Sequence, residues 1–476
     1  MKKFNVKKAF KSKNFKYGGY SALITALVLS IVVAVNLIAG KLNIKKDLTK
    51  DKLYSISEES YKILETVQKD IKIYAFFESG NEDESIKTIL DKYKGATNKI
   101  SVEYRDPLTQ PQFAEKYNKN GNTVGVGSIV VESGSKFKTI NYMDFYNYTY
   151  NENGQQILDS FAAEQHITNA IVYVNSEKQQ TIYTLTGHEE KALDSSITKQ
   201  LEVENYAVSE INLLQGNAQL NKDSLLVINA PLRDISKEEV EKIKNFLSDG
   251  GRAAFFIDIT KESLPNLQEL LSNYGVKTQN ALIVEGQANM VANSAIALLP
   301  EIKSHDIVNT IKSKKLPLYM PLAQGIEELK LKRSGVKIEP LISSSSNSWG
   351  KTNINSTTMS KEKGDLEGPF NLAVAITEEG ENKEKKSKLI VVGSTTFMQS
   401  DINASTNGTN LDFVMNSFNW LQDKKDSVTI RPKNLNEPNL IINALQRLVW
   451  SGIVVILIPA AIAVIGVVVW LRRRHR

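Results

Sequence analysis

The sequence predicts an α/β protein held between two transmembrane helices. Short runs rich in β-branched and aromatic residues recur along the chain, and segments with helical spacing separate them, which is typical of the α/β class. Two uncharged apolar segments near the ends of the 476 residues predict the membrane helices. The predicted divisions are a basic tail (1–16), a transmembrane helix (17–40), a first α/β domain (41–180), a doubly wound α/β domain (181–430), a linker (431–448), a second transmembrane helix (449–471) and a basic tail (472–476).

The first apolar segment has no charged residue between Gly18 and Gly40. A helix of this length crosses about 30 Å of hydrocarbon at about 1.5 Å per residue. The basic residues before it are also compatible with a secretory signal. However, the apolar run is longer than the roughly 7–15 residues of a signal h-region, and no clear A-x-A cleavage site follows. The pattern therefore favours an uncleaved anchor over a cleaved signal.

The second apolar segment carries tryptophan near each end. Helix geometry separates Trp450 from Trp470 by about 30 Å, which suits the two interfaces of a bilayer. Arg472, Arg473 and Arg474 follow at once, whereas a buried core helix would rarely be followed by such a basic end. These five residues are the predicted membrane-interface anchors.

Lysine and arginine are concentrated at the two ends of the chain. Residues 1–16 carry seven Lys and no acid, and residues 472–476 carry four Arg; the rest has 48 basic and 53 acidic residues. The positive-inside rule then predicts a two-pass plasma-membrane protein with both termini in the cytoplasm and roughly 400 residues outside. The acidic balance of the middle argues against a nucleic-acid partner.

The first domain is predicted from a β-α-β-α-β-β order. Its elements are a helix capped by Ser57, a strand at 71–78, a helix at 84–94, a strand at 100–107, a short helix at 112–121 and two strands around a turn at 132–135. A Tyr/Asn-rich loop from 144 then leads to a helix and a strand within 161–176. This order, with the turn at Asp106-Pro107, resembles a thioredoxin-like fold. Since the chain has no cysteine, the domain would be a scaffold and not an oxidoreductase.

The second domain is predicted from alternating strands and helices, which imply a parallel, doubly wound sheet. The elements are a strand from 181, a helix and strand within 197–214, strands at 224–231 and 252–259, and helices at 235–251 and 264–276. The middle helix has Ser236 as N-cap, Glu239 at the capping-box position and Gly250-Gly251 at its end. Residues 285–388 are less regular and include a polar loop at 343–360 and a charged hairpin tip at 378–388. A strand and turn (388–401) and an amphipathic helix (410–422) follow.

The best polar cluster is Gly187-His188-Glu189-Glu190, which follows the first strand of the second domain. Asp258 and Asp401 follow other predicted strands, and ligands of such sheets bind beyond the carboxyl ends of the strands. Histidine shuttles protons near neutral pH, and glutamate accepts protons or binds metals. The cluster is compatible with catalysis, with a binding or docking surface, and with an ordinary solvated turn. No catalytic, cofactor or metal residue is assigned.

The nearest approach to a nucleotide motif is WGKT at 349–352. A phosphate loop needs G-x-x-x-x-G-K-[ST], and position 345 is serine. The segment also has no strand-to-helix setting. The sequence therefore predicts no nucleotide site and no cofactor.

Several motifs, in order and spacing, resemble one family across nearly the full chain: the GldG-like auxiliary components of ABC-type transport systems, linked in some members to gliding motility. The residues that carry the resemblance are LYSIS (53–57), TLTGHEEK (184–191), INAPLRDISKEEVEKIKNFLSDGG (228–251), VVGSTTFMQSD (391–401), FNWL (418–421), IRPK (430–433) and the terminal WLRRRHR.

The resemblance implies a non-enzymatic, extracytoplasmic subunit that works with an ABC permease and a separate cytoplasmic ATPase. The central domain of the family also looks like the flavodoxin-like or glutamine-amidotransferase sheets of intraflagellar-transport proteins. An amidotransferase needs a cysteine nucleophile, which this chain lacks. The resemblance supplies no catalytic residue.

Two other functions compete with this expectation. One is a membrane-anchored hydrolase of the cell envelope that uses Glu and Asp side chains, which would need paired carboxylates about 5–9.5 Å apart. The other is a purely structural envelope-binding protein. A deep cleft with two facing carboxylates would favour the hydrolase.

Overall fold

A computed structural model describes residues 20, 23–34, 47, 49, 52–118, 123–150, 155–177, 179–216, 218–356, 358–379, 386–424, 430–435 and 453–474. The chain divides into two compact units, Met1–Ile56 and Ser57–Arg476. In the first unit residues 23–34 are helical, and the carboxylate of Asp47 accepts hydrogen bonds from the backbone N–H groups of Thr49 (3.0 Å) and Tyr54 (2.7 Å).

The second unit begins with a four-stranded sheet in the order β2-β1-β3-β4. β1 and β2 are parallel, and β3 and β4 add antiparallel strands on the other side of β1. The elements of this part are α1 (Glu58–Glu65), β1 (Ile71–Phe76), α2 (Glu84–Ala96), β2 (Ile100–Arg105), α3 (Pro111–Glu115), β3 (Ile129–Ser133) and β4 (Lys136–Ile140). Apart from α3, which ends six residues early, they lie where the sequence places them.

The segment after β4 differs from the prediction in two places. The predicted Tyr/Asn-rich loop holds a hairpin, β5 (Tyr146–Tyr150) with β6 (Gln156–Phe161). The predicted helix and strand are one helix, α4 (Ala163–Asn175), which buries Ile167, Ile171 and Val174 at helical spacing. Helical packing of this face outweighs the β-preference of its branched residues.

A 12-stranded sheet dominates the rest of the described chain, in the order β18-β17-β11-β15-β19-β20-β10-β9-β7-β8, with β13 and β16 attached beside β19. β12 and β14 pair separately. The strands are β7 (Thr181–Leu185), β8 (Ala207–Ile211), β9 (Leu225–Asn229), β10 (Arg252–Phe256), β11 (Val276–Val284), β12 (Ala297–Leu298), β13 (Glu301–Ile302), β14 (Met320–Pro321), β15 (Gln324–Glu328), β16 (Val336–Ser343), β17 (Trp349–Lys351), β18 (Leu366–Glu367), β19 (Asn371–Glu379) and β20 (Lys386–Val392). The last strand among the described residues, β21 (Lys433–Asn434), pairs with β6.

The large sheet has a parallel half and an antiparallel half. β20, β10, β9, β7 and β8 are parallel neighbours. From β19 onward the neighbours are antiparallel, so residues 276–379 extend the sheet rather than wind it further. The segment predicted as a polar loop at 343–360 contains β17, and its Lys351 is buried against Glu362, at 2.8 Å. A lysine can be buried when an ion pair compensates its charge. The polar composition of the segment does not by itself indicate that Lys351 is buried.

Helices cover both faces of the parallel half. The helices described in this part of the chain are α5 (Ser195–Val203), α6 (Lys237–Ser248), α7 (Pro265–Asn273), α8 (Asp306–Ser313), α9 (Ser400–Ser405) and α10 (Thr409–Leu421), of which α9 buries no residue. Alternate residues of one strand enter different cores: Leu225 and Val227 of β9 face one cluster, and Leu226 and Ile228 face the other. This two-sided burial is typical of parallel strands.

The predicted membrane helices lie only partly within the described residues. Among those residues, no helix combines the length and the apolar character needed to cross a bilayer. α11 (Ile458–Arg474) carries Trp470, which is exposed, and ends with residues 472–474, whereas Trp450 lies outside the described part. The spans, the domain boundaries and the thioredoxin-like and flavodoxin- or amidotransferase-like assignments stay predictions.

Candidate functional site

The predicted cluster forms a tight turn after β7. Gly187 has φ +123°, a conformation that glycine adopts easily, and Glu189 also has a positive φ, +58°. The carbonyl oxygen of His188 accepts hydrogen bonds from the N–H groups of Leu232 and Arg233, both at 3.0 Å. These two hydrogen bonds therefore hold the turn against the segment that follows β9.

The side chain of His188 lies between two buried carboxylates. Its Nδ1 is 2.9 Å from Oε1 of Glu190, and its Nε2 is 3.0 Å from Oε2 of Glu239. Glu190 also accepts the backbone N–H of His188 at 2.7 Å. Glu239 completes the predicted capping box of α6 with Ser236. One histidine thus joins the turn after β7 to the first turn of α6.

This arrangement favours the charged form of the histidine. The hydrogen bond to Glu190, together with the charges of Glu190 and Glu239, raises the pKa of His188 above its ordinary value although burial opposes this. Burial alone would raise the pKa of Glu190, but the hydrogen bonds from His188 outweigh it and leave that pKa lowered. The histidine and Glu190 therefore form a charge-assisted pair.

A second network lies beyond the ends of β10 and β20. Oδ2 of Asp258 is 2.6 Å from Nζ of Lys191, and its two oxygens accept the N–H and the hydroxyl of Thr395, both at 2.6 Å. Nδ2 of Asn229 donates to the carbonyl of Lys191 at 2.8 Å. These contacts tie together the loops after β7, β9, β10 and β20.

The structure brings Asp258 near the predicted turn through Lys191 but does not join Asp401 to it. Asp401 is exposed in the first turn of α9, and within the described residues no hydrogen bond or ion pair links it to His188 or Asp258. Its neighbour Ser400 instead binds the carboxylate of Asp194. Of the six predicted residues, those of the turn and Asp258 therefore belong to two hydrogen-bond networks, and Asp401 lies apart from both.

Both ring nitrogens of His188 are occupied by carboxylates, so neither offers a lone pair to a metal or substrate. Among the described residues no three His, Cys, Asp or Glu side chains are grouped to hold a metal ion. Gly187 and Glu189 are the exposed residues of the turn, and Glu189 pairs with Arg233 at 2.5 Å. The capping-box pattern in the sequence indicates a structural role for Glu239. No local pattern indicates that Lys191 and Thr395 bind Asp258, because the fold alone brings these residues together.

Another buried carboxylate, that of Glu164, joins the start of the second unit to the segment 430–435. Oε1 of Glu164, in α4, accepts the backbone N–H of Ser57 and the hydroxyl of Ser60, both at 2.6 Å. Its Oε2 is 2.8 Å from Nζ of Lys433, and the Glu164 side chain is 3% exposed. We call this set, Ser57, Ser60, Glu164 and Lys433, the Glu164 junction.

Further contacts hold the segment 430–435 against the body. Nε2 of Gln165 donates to the carbonyl of Ile430 at 2.8 Å, and the N–H of Leu435 donates to the carbonyl of Asp159 at 2.9 Å. Arg431 forms an ion pair with Asp412 of α10. The part of the chain that leads toward the predicted second span is therefore fixed at several points. The sequence reasoning missed this junction, since no local pattern links positions so far apart.

Comparison with known proteins gives one curated relative and several solved structures. An uncharacterized protein of Borreliella burgdorferi is 25% identical over 308 residues, which are 56% of this chain and 60% of the relative. The chain thus spans less than two thirds of that relative. The mmIFT52 N-terminal domain has a TM-score of 0.36 at 16% identity, covering 51% of this chain and 96% of its own. PurLQS from Thermotoga maritima has a TM-score of 0.27 at 8% identity, covering 51% and 100%. At such scores neither structure carries an argument.

Two family descriptions match the sequence. Residues 50–148 match a domain of unknown function (DUF7088). Residues 179–417, half of the chain, match the family described as an ABC-type uncharacterized transport system. This match contains the His188 turn, the Asp258 network and most of the large sheet. The chain belongs to the ABC-type uncharacterized transport system family.

Proposed function

We propose that this chain is a non-enzymatic auxiliary subunit of an ABC-type transporter, acting with a separate permease and a cytoplasmic ATPase. The match of residues 179–417 carries the proposal, because membership of that family implies association with an ABC transport system. The motifs from LYSIS to the terminal WLRRRHR favour the GldG-like members. The uneven charge of the chain favours a two-pass protein with its main body outside the plasma membrane.

The Glu164 junction suggests how such a subunit would respond to a permease. Ser57 and Lys433 are bound by one carboxylate, so displacement of either flanking segment acts on α4. α4 packs on β3 and β4 and also contacts α5. Movement of a neighbouring permease could thus reach both sheets of the body without nucleotide chemistry in this chain.

The hydrolase alternative gains no support from the best carboxylate pair. Glu190 and Glu239 both face His188, and their oxygens that approach it are 2.9 and 3.0 Å from its ring nitrogens. A glycosidase needs its two carboxylates to face the substrate. The transporter role is therefore the better proposal.

The test is affinity purification from membranes solubilised in mild detergent, with the tagged chain at its native level. We expect an ABC permease and its ATPase to be recovered in a fixed ratio. An unrelated two-span membrane protein with the same tag is the matched control and should recover neither. Intact protein without permease or ATPase would overturn the proposal, as would unchanged transport in reconstituted vesicles that lack this chain.

A further inference from the structure

The β5–β6 hairpin carries exposed apolar side chains on both of its faces. Tyr148 and Leu158 lie opposite each other across the two strands and are 44% and 37% exposed. Ile157, which is 36% exposed, lies opposite Thr149 and points to the other face, because successive residues of a strand alternate between the two faces. A docked protein would cover one face of the hairpin, whereas a surrounding medium covers both. The two-sided exposure therefore favours immersion over contact with a protein.

At the end of the segment 430–435, the chain runs toward this exposed part of the hairpin. β21 pairs antiparallel with β6, from Phe161 back to Ser160, and the N–H of Leu435 then donates to the carbonyl of Asp159 at 2.9 Å. The next residue of β6 in this direction is Leu158. The predicted second span begins at position 449, fourteen residues after Leu435. Even a fully extended connection of that length reaches only about 50 Å, so the hairpin lies close to the predicted membrane.

The composition of this region suits the interface of a zwitterionic bilayer. Residues 139–177 contain no lysine or arginine, so anionic headgroups would find no cationic partner there. Three of the five residues of β5 are tyrosine, whose apolar ring and polar hydroxyl favour membrane–water interfaces. β5 is also the edge strand of its sheet among the described residues, and the backbone groups of an edge need water or headgroups as partners. The headgroup region, and not the hydrocarbon core, is therefore the depth that suits this hairpin.

We propose that the exposed end of the β5–β6 hairpin inserts into the headgroup region of the bilayer that the predicted spans cross. Its apolar side chains leave water on both faces there. Because β6 also pairs with β21, the same contact fixes the point from which the connection to the second span starts. The inference rests on the proposed membrane topology and adds a lipid contact to it.

The test measures quenching by nitroxide lipids, and the absence of cysteine allows a single labelled site in each variant. Leu158→Cys, Ile157→Cys and Val464→Cys each attach one bimane fluorophore to the full-length chain, reconstituted in phosphatidylcholine vesicles. The nitroxide is placed either on the headgroup or on the acyl chain. We expect fluorescence at 157 and 158 to be lost chiefly to the headgroup nitroxide. Fluorescence at 464, within the predicted second span, should be lost chiefly to the acyl-chain nitroxide.

Leu232→Cys is the matched control at an exposed leucine far from the hairpin. Leu232 follows the carboxyl end of β9, whereas α4, which binds Lys433 through Glu164, leads into the start of the parallel strand β7. The fluorophore at 232 should be quenched by neither nitroxide. Circular dichroism establishes that each variant is folded, and Tyr148→Cys replaces Leu158→Cys if the latter unfolds.

The possible outcomes separate the hairpin contact from the topology on which it rests. Quenching at 464 without quenching at 157 and 158 would overturn the hairpin contact and leave the topology standing. Quenching at none of these positions would overturn both. Quenching at only one of 157 and 158 would indicate a one-sided contact and overturn the insertion, as would equal quenching at 232.

Discussion

At the residue scale, His188 makes the turn after β7 sensitive to pH. The folded pKa of His188 is raised above 6.5, so its contribution to stability is fully present below pH 6.5 and is lost as pH rises through the raised value. The folded pKa of Glu190 is lowered below 4.5, so its contribution is fully present above pH 4.5 and is lost as pH falls through the lowered value. The pair therefore stabilises the fold most between these two limits.

The change His188→Gln tests this account. It leaves Glu190 and Glu239 buried without a cationic partner, and we expect a loss of about 3 kcal/mol in the free energy of unfolding. The loss should be largest near pH 6 and smaller at alkaline pH, measured by urea unfolding across the pH range. Glu189→Gln, on the exposed side of the same turn, is the control and should change little. A pH-independent loss would contradict the charged pair.

At the element scale, the Glu164 junction decides how firmly the segment 430–435 is held. Glu164 and Lys433 have side chains only 3% and 10% exposed, so loss of the carboxylate charge would leave a buried ammonium without this counter-charge. Burial alone would raise the pKa of Glu164, but the charge and hydrogen bond of Lys433, together with the hydrogen bonds from Ser57 and Ser60, outweigh it and hold that pKa below its usual value. Two segments therefore depend on one side chain of α4.

The change Glu164→Gln should release this segment selectively. The amide keeps the shape but loses the charge, and we expect about 3 kcal/mol of destabilisation and faster amide hydrogen exchange in 430–435 and the first turn of α1. Exchange in β9 and β10 should remain slow. Glu84→Gln, in an exposed pair with Lys87, is the control and should alter neither. Equal acceleration throughout the body would argue against a local junction.

Elements with a local sequence pattern could be predicted, whereas those that depend on distant contacts could not. The capping box of Ser236 and Glu239 and the helical spacing of α10 are local patterns, and both elements form where predicted. The hairpin β5–β6 is not predicted because the Tyr/Asn-rich sequence of β5 contains no aliphatic residue, and its further pairing with β21 joins positions more than half the chain apart. The sequence also indicates a polar cluster at 187–190, but the partners of His188 and Asp258 are set by packing. Tertiary contacts therefore account for most of the differences.

At the scale of the whole molecule, the absence of cysteine allows the proposed membrane topology to be tested directly. Ser12→Cys lies in the basic tail and Ser346→Cys at an exposed position of the body. Because positive flanks favour the cytoplasmic side, we expect a membrane-impermeant maleimide to label Cys at 346 in intact cells and Cys at 12 only after permeabilisation. The unmodified chain is the control. The reverse pattern would overturn the topology.

The Glu164 junction also limits how far apart the two segments that it holds can move. Ser57 and Lys433 are far apart in the sequence, yet both bind one side chain of α4. Such a contact shortens the effective connection between two parts of one chain, and a shorter connection raises the effective concentration of one part for the other. A partner that binds both segments would therefore meet them as a preassembled pair and would not have to gather two distant stretches of the chain.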